Sequence, residues 1–583
     1  MRDPKAGELD ATLRARVEAW IADDPDPETA DELRALVDAG HAAALRERFA
    51  GFLQFGTAGL RGLLGGGPAR MNRAVVIRAT AGLCAYLRAT RPDAAERGVV
   101  IGYDARRKSR RFAEDVAEVV LGAGLRVRLF DAPVPTPLGA FALLDRDAAA
   151  AVVVTASHNP PDYNGYKVFW GDGAQIVPPH DRGIAEAITA VSSVASVTRA
   201  PLETAPSRVE TLGPELGERY LAALPAYRLD PEGPRDLRIV TTALHGVGDA
   251  WTRRALADAG FTDVHPVAAQ AEPDGRFPTV AFPNPEEDGA LDLALELAEE
   301  TGADLVLAND PDADRLAALV RHEGALVALN GNEIGCLLAH FLLEQGAKEG
   351  ERLVLSSVVS SPWLLNIGAH HGARAEQTLT GHKWIHARAM ELEKEGARFV
   401  YGYEEALGYA VGPVVRDKDG VHAAVAFAEL TAWCRSQGRT PVDELARMAR
   451  LYGLYRSRQI SRVLPGTDGR AAIDATMRRA REAPPKSLGG VAVVATSDFA
   501  RGETRHADGR VEALAFPRAN LVRFELEGGH RAMLRPSGTE PKVKYYFDAR
   551  VDVGAAESLD AAKARGEALL GEMVKDVRTD REG

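Results

Sequence analysis

Short apolar runs that end in polar loops alternate along this chain with stretches of helical period. Ala149 to Val154 is unbroken apolar and reads as a fully buried strand. Gly98 to Tyr103 and Arg126 to Phe130 read as two more strands, with a helix over Phe112 to Gly122 between them. Such alternation predicts βαβ units on a mainly parallel sheet. The pattern restarts after Tyr220, with a strand at Leu237 to Thr241, a turn at His245-Gly246-Val247-Gly248, a helix through Ala259 and a strand at Asp304 to Ala308. It restarts again near Asn330, with a helix over Glu333 to Glu344 and strands at Arg352 to Val358 and Phe399 to Tyr401.

Two regions break this rhythm. Residues 10–50 carry helical periodicity with Trp20, Leu33, Leu36 and Leu45 at the apolar positions, and Asp23-Asp24-Pro25-Asp26-Pro27 divides them into two predicted helices. After the proline- and glycine-bearing stretch Pro465 to Gly490, strands follow closely at Val491–Thr496, Ala513–Phe516, Leu521–Leu526 and Arg531–Arg535, before a helix over Ala556 to Val574. The expected fold is α/β: three related α/β domains with mixed sheets, then a C-terminal α+β domain. The expected boundaries are 1–208, 209–325, 326–460 and 461–583.

Bulk properties narrow the function. At 583 residues the chain exceeds one core and suits about four domains. Its 46% hydrophobic and 26% charged content is that of a globular enzyme. A formal net charge of −12 argues against nucleic acid or an anionic membrane as partner. Cys84, Cys336 and Cys434 are scattered, without metal spacing or a disulfide framework. The stretch Met1 to Ala11 lacks the apolar core of a signal peptide, and no run reaches membrane-spanning length, so a cytoplasmic location is expected.

Candidate chemistry sits at the strand ends. Thr155-Ala156-Ser157-His158-Asn159-Pro160 follows the buried run at 149–154 and presents Ser157 as a reactive hydroxyl. Side chains of neighbouring residues diverge in extended backbone. His158 is therefore expected to move a proton on whatever reacts with Ser157, and not to serve as that serine's own base. Asp310-Pro311-Asp312-Ala313-Asp314-Arg315 follows the strand at 304–308 and places three carboxylates at i, i+2 and i+4. In extended backbone they project to one side, where a hard divalent cation is the natural occupant and Mg²⁺ suits the small ligand set. An EF-hand is excluded, because its sixth position would be Arg315 and its twelfth Arg321. A solvated acidic loop is the plainer alternative.

Three further clusters are ambiguous singly. Arg535-Pro536-Ser537-Gly538-Thr539-Glu540-Pro541-Lys542 offers a guanidinium fork, two hydroxyls and a glycine for close backbone approach to a phosphate, or else an ordinary polar turn. Phe55-Gly56-Thr57-Ala58-Gly59-Leu60-Arg61-Gly62 is an anion-contacting loop or a plain turn. Gly402-Tyr403-Glu404-Glu405-Ala406-Leu407-Gly408-Tyr409 pairs two carboxylates that suit sugar hydroxyls or a solvated helix start, and Thr380-Gly381-His382-Lys383-Trp384 is equally open. Together they are the parts of phosphoryl transfer on a phosphosugar.

Five motifs in order, FGTAGLRG at 55–62, TASHNP at 155–160, DPDADR at 310–315, GYEEALGY at 402–409 and RPSGTEPK at 535–542, resemble the α-D-phosphohexomutase superfamily, the phosphoglucomutase/phosphomannomutase family. The N-terminal helical segment and DKDG at 417–420 look most like its phosphopentomutase-like phosphoglucomutase branch. The resemblance implies four domains in a heart-shaped arrangement, and an intramolecular phosphotransferase that interconverts glucose 1-phosphate and glucose 6-phosphate. Phosphomannomutase or phosphopentomutase activity by the same mechanism is the alternative. Ser157 would be the phosphoserine, holding Mg²⁺ together with Asp310, Asp312 and Asp314. His158 and Lys167 would serve proton transfer, while Arg61 and Arg315 would support the reacting phosphate. Glu404 and Lys383 would bind the sugar, and Arg535, Ser537, Gly538 and Thr539 the phosphate that does not react. Glucose 1,6-bisphosphate would be intermediate and activator, the partner a small phosphosugar, and the chain a monomer or weak homodimer. One departure concerns specificity: many relatives carry Ser where Ala406 stands. Two other readings compete. One is a haloacid-dehalogenase-like phosphatase with Asp310 as nucleophile, which leaves TASHNP without a role. The other is a sugar-phosphate sensor, which has no need of every catalytic part.

Overall fold

A computed structural model describes residues 9–56, 59–227, 229, 233–463, 467–536 and 542–579. The chain divides into two compact units, one formed by Met1–Leu329 with Gly408–Trp433, the other by Asn330–Leu407 with Cys434–Gly583.

The first unit opens with three helices, Ala11–Asp23, Pro27–Asp38 and Ala42–Arg48, where the sequence pattern predicts two. The extra break falls at Gly40, whose φ of 67° ends the second helix in the left-handed conformation that glycine adopts without strain. Asp10 and Asp26 cap the first two helices by accepting from the Leu13 and Glu28 amides. Leu13, Val17, Leu33, Leu45 and Phe49 form their common core.

A six-stranded sheet follows, in the order Gly59–Leu63, Tyr163–Trp170, Ala150–Val154, Val99–Tyr103, Val127–Phe130, Val209–Leu212. The first two strands run antiparallel to their neighbours, and the remaining pairs are parallel. Residues 59–63 are thus an edge strand and not the turn or loop that three spaced glycines suggest. The sixth strand carries this sheet to Leu212, four residues beyond the boundary expected at 208. The Ala150–Val154 strand is buried at every residue, so its exit is where a polar side chain first meets an opening.

The next sheet has five strands, in the order Ala325–Leu329, Leu316–His322, Leu305–Asn309, Ile239–Thr242, Val264–Pro266. Leu305–Asn309 is likewise buried throughout and delivers the acidic loop. Gly408–Val411 and the first part of the helix Gly420–Ser436 complete this unit.

In the second unit, the parallel strands Arg374–Thr378, Arg352–Ser357 and Arg398–Glu404 carry the helices Gly331–Gln345, Trp363–His370 and His382–Lys394. An antiparallel sheet then runs from Leu454–Val463 through Lys542–Val551, Arg531–Pro536, Val522–Leu526, Val491–Asp498 and Glu503–His506 to Val511–Ala513. The predicted strand at 513–516 is displaced to Val511–Ala513, and Glu503–His506 is an additional strand. Leu514 and Phe516 owe their apolar character to a loop that packs on Phe499, Leu521, Val358 and Tyr546, not to alternation along a strand. No helix among the described residues is long and apolar enough to cross a membrane.

Candidate active site

Ser157 stands three residues beyond the buried strand, with φ of 53°. A non-glycine residue there costs about 1–2 kcal/mol and persists only where its surroundings hold it. The Thr155 hydroxyl accepts from the Ser157 amide at 2.9 Å. This left-handed turn removes the premise on which His158 was set apart from Ser157: the backbone is not extended, and His158 Nδ1 lies 3.3 Å from Ser157 Oγ. The residue is 2% exposed, and its hydroxyl donates to Asp310 Oδ2 at 2.7 Å.

The acidic loop is also a turn and not an extended segment. Ala313 has φ of 54°, and its amide donates to the Asp310 carbonyl at 2.8 Å. The turn gathers the three carboxylates so that one oxygen from each lies within 4.8 Å of the others. Asn309 closes the loop's base, accepting from the Thr252 hydroxyl at 2.7 Å and donating to the Arg315 carbonyl at 2.8 Å. Gly246 lies directly behind, where an added Cβ would fall 2.3 Å from Pro311 Cα.

Asp310, Asp312 and Asp314 are fully buried. Three cations meet them. Lys167 Nζ, from the neighbouring strand of the serine sheet, donates to Asp312 Oδ2 and Asp314 Oδ2 at 2.6 Å each. Lys418 Nζ lies 2.9 Å from Asp314 Oδ2. Arg315 Nε stands 3.9 Å from Asp310 and 3.8 Å from Asp314. The Thr136 hydroxyl donates to Asp312 Oδ2 at 2.6 Å. Burial raises the Asp310 carboxyl well above the usual range, and the two other aspartates push it further. Burial acts on Asp314 as well, but Lys167, Lys418 and Arg315 outweigh it and hold Asp314 well below that range. The same carboxylates raise Lys167 against its own burial. His158 is pushed well below its ordinary value by burial and then by Arg315 and Arg61, so its ring is neutral at neutral pH.

Among the described residues nothing hydrogen-bonds to buried Asp312 Oδ1 or Asp314 Oδ1, and the second has only Arg315 Nε at 3.8 Å. Unpaired carboxylate oxygens out of water are costly, and an all-oxygen donor set suits a hard divalent cation. The residues therefore fit a metal. Arg61, on the edge strand, donates from Nη1 to Asn159 Oδ1 at 3.0 Å and remains exposed. Lys418 and Thr136 were not among the expected site residues. The signal for Lys418 was present: a lysine just before a helix N-terminus opposes the helix dipole, which asks for another reason for it to be there.

The remaining predicted residues lie in the second unit. Glu404 ends its strand and accepts from the Gly381 amide at 2.6 Å, with Oε2 4.0 Å from His382 Nε2. Neither glutamate starts a helix, since residues 405–407 form a turn. Glu405 instead accepts from the hydroxyls of Ser357 at 3.2 Å and Ser360 at 3.1 Å. Lys383 is buried, its Nζ 5.2 Å from the Trp384 ring centre. Burial raises the Tyr546 hydroxyl, Glu405 and Glu404 raise it further, and Arg535 opposes them. Ser537, Gly538 and Thr539 lie outside the described residues.

The phosphoglucomutase/phosphomannomutase family's alpha/beta/alpha domain I matches residues 53–195, its domain II 218–324, its domain III 330–452 and its C-terminal domain 478–565. Four domains in this order define the phosphomutases of the α-D-phosphohexomutase superfamily, intramolecular phosphotransferases of the isomerase class. The chain belongs to the phosphoglucomutase/phosphomannomutase family. A probable phosphoribomutase of Schizosaccharomyces pombe is 39% identical over 556 residues, which cover 93% of this chain and 94% of that protein. A probable phosphomannomutase of Haemophilus influenzae is 40% identical over 487 residues, covering 82% of this chain and 93% of that one. The crystal structure of a phosphoglucomutase/phosphomannomutase family protein from Burkholderia thailandensis shares the fold, with a TM-score of 0.64 at 20% identity over 91% of this chain and 98% of that one. The match takes in the serine loop and the acidic loop together, which displaces the dehalogenase-like reading.

Proposed function

We propose that the chain moves a phosphoryl group between two positions of a sugar monophosphate through phospho-Ser157. The observation that carries this is Ser157 Oγ at 2.7 Å from the buried carboxylate triad. In the first half-reaction the Ser157 O–P bond breaks as a bond forms to the free sugar hydroxyl. The hydroxyl proton leaves, and Ser157 Oγ takes one up. The bisphosphate then returns its other phosphoryl group to Ser157 by the reverse exchange. His158, neutral and 3.3 Å from Oγ, is suited to hold that proton. Lys167, kept as the ammonium by two carboxylates, is a donor and not a base. Arg61 and Arg315 flank the serine and support the transferring group. Asp310, Asp312 and Asp314 would hold Mg²⁺, which supplies charge neutralisation at the phosphoryl oxygens.

In the second unit, Glu404 and Lys383 bind the sugar, and Arg535 with Ser537, Gly538 and Thr539 binds the phosphate that does not react. Glucose 1-phosphate and glucose 6-phosphate are the proposed pair, with glucose 1,6-bisphosphate as intermediate and activator. A cytoplasmic monomer or weak homodimer, without nucleic-acid or membrane partner, belongs to the same reading. A pentose phosphate is the second reading, favoured by the S. pombe relative named for ribose and by Ala406, which offers no hydroxyl to a hexose. The test is turnover of glucose 1-phosphate, mannose 1-phosphate and ribose 1-phosphate side by side, with Mg²⁺, bisphosphate and a Ser157→Ala control. A glucose preference lost in the control supports the first reading, and a ribose or mannose preference replaces the substrate. A fully active Ser157→Ala enzyme sinks the mechanism.

A further inference from the structure

We infer that Arg106 is the positioning residue that holds the Ser157 loop in its reactive shape, an inference that rests on the phosphoserine reading above. Arg106 is 4% exposed, and its fork reaches four backbone carbonyls of that loop and its exit. Nη2 donates to the carbonyls of Ser157 and Asn159 at 2.5 Å each. Nη1 donates to those of Pro160 at 2.9 Å and Tyr163 at 3.3 Å. Nε faces Asp104 Oδ2 at 3.3 Å. Asp104, itself buried, is oriented by the Ser109 hydroxyl at 2.6 Å and the Arg106 amide at 3.0 Å. Both terminal nitrogens of the guanidinium are thus committed to backbone carbonyls, and Nε faces a carboxylate.

This arrangement answers a question the serine raises. Its left-handed backbone turns the Ser157 carbonyl inward while the hydroxyl points at Asp310. A buried inward carbonyl needs a donor, and here one planar side chain serves four of them in fixed mutual geometry. Lysine, a point charge on a flexible stem, cannot reproduce that fork.

Arg106 also ties the serine loop to the acidic loop. The Phe277 ring covers it, with its centre 4.9 Å from Cζ. Gly275 lies so close that an added Cβ would fall 2.6 Å from Arg106 Cα. From there the Asp274 amide donates to the His245 carbonyl at 2.9 Å, and the Val247 amide to the Pro311 carbonyl at 2.9 Å. Contacts run without a gap from the residue that carries the phosphoryl group to the loop that faces it.

The experiment loads Ser157 from radiolabelled glucose 1,6-bisphosphate and measures steady-state kcat and KM in the wild type, Arg106→Ala and Arg106→Lys, with melting temperatures measured in parallel. Displacing a reacting group by about 1 Å costs roughly 100-fold, so Arg106→Ala should lose about that factor in kcat while KM stays within about threefold. Millimolar guanidinium chloride should restore at least about tenfold of it, a rescue that a general loss of packing does not allow. Arg106→Lys keeps the charge and the Asp104 pair, and should lose on the order of tenfold in kcat with a melting temperature near the wild type's. It decides the matter if the alanine variant does not fold. Wild type that takes no label on Ser157 overturns the phosphoserine reading itself. Label on the wild type together with kcat within about threefold in the folded variants overturns the role of Arg106 and leaves that reading standing.

Discussion

Replacing Lys167 by Met tests how the buried charges are balanced. Its Nζ bridges Asp312 and Asp314 at 2.6 Å each, with all three side chains at most 7% exposed. Removing one partner of a buried ion pair costs about 3–5 kcal/mol, because the charge left behind has neither water nor a counter-ion. Here some compensation survives: Asp312 keeps the Thr136 hydroxyl at 2.6 Å, and Asp314 keeps Lys418 at 2.9 Å. That argues for the lower end, about 3 kcal/mol. Met preserves most of the apolar stem, so the deficit is electrostatic and should shrink when a divalent cation is supplied. Such an ion binds the native state and stabilises it, by about 2.7 kcal/mol at 100 times its dissociation constant. It binds more tightly once no ammonium on the neighbouring Oδ2 atoms repels it. Urea unfolding in EDTA and in excess MgCl₂ reads both effects, with hydrogen exchange of the Leu305–Asn309 amides as the local measure. A loss below about 1 kcal/mol in EDTA, or a gap that widens with Mg²⁺, refutes the reasoning.

Other perturbations separate the parts of the site. Asp312→Asn should raise the Mg²⁺ concentration for half-maximal turnover by about 10–100-fold, and an unchanged midpoint removes Asp312 from the metal site. Gly246→Ala places a Cβ 2.3 Å from Pro311 Cα, a backbone atom that can yield only by shifting the acidic loop. Turnover should fall about 100-fold with the fold retained, and normal turnover would show that the loop tolerates the shift. Buried His422 is lowered to about 4 from an ordinary 6.5 by desolvation alone. Its folded value is depressed, so the unfolded chain binds the proton first, and the stability this ring supports above pH 6.5 is lost as pH falls toward 4. His422→Gln should remove about 2.4 kcal/mol of that acid sensitivity, measured as the difference in urea unfolding between pH 7 and pH 4.5, and an unchanged difference would place the sensitivity elsewhere.

Some of this site is legible in the sequence, for reasons that also mark what is not. Both reactive loops announce themselves because a strand buried on two faces must be apolar throughout, so Ala149–Val154 and Asp304–Ala308 end visibly where Ser157 and the aspartates begin. The turns after them are hidden. Left-handed backbone is signalled by Gly or Asn, and here Ser157 and Ala313 adopt it under tertiary constraint. That is why alternation misplaced His158 relative to Ser157 and derived the aspartate cluster from the wrong backbone. The edge strand at 59–63 was hidden by its glycines, one of which is required because the Tyr166 carbonyl lies 1.8 Å from where a Cβ on Gly59 would stand. Lys418 and Thr136 reach the aspartates from separate elements, and no local pattern reports a contact made across the fold.

The electrostatics of the first unit argue for how a phosphoryl group is accommodated there. Three buried carboxylates, Asp310, Asp312 and Asp314, face three cations, Lys167, Lys418 and Arg315. With these six groups ionised their charges cancel, and Asp417, buried 3.6 Å from Lys418, adds a further carboxylate to the cluster. A phosphoryl dianion added alone at Ser157 would break that balance beside Asp310, at the cost of like charges in a low dielectric. A dianion and a divalent cation added together leave it intact. Asp312 Oδ1 and Asp314 Oδ1, which accept no hydrogen bond from the described residues, are the oxygens left to such an ion, while those already bonded to Lys167 need not move. Phosphorylation of Ser157 and cation binding should therefore be coupled, each strengthening the other by the same factor. Mg²⁺ affinity measured on the phosphorylated and the bare enzyme gives that factor directly, and equal affinities would mean that the aspartates and the phosphoserine do not share an ion.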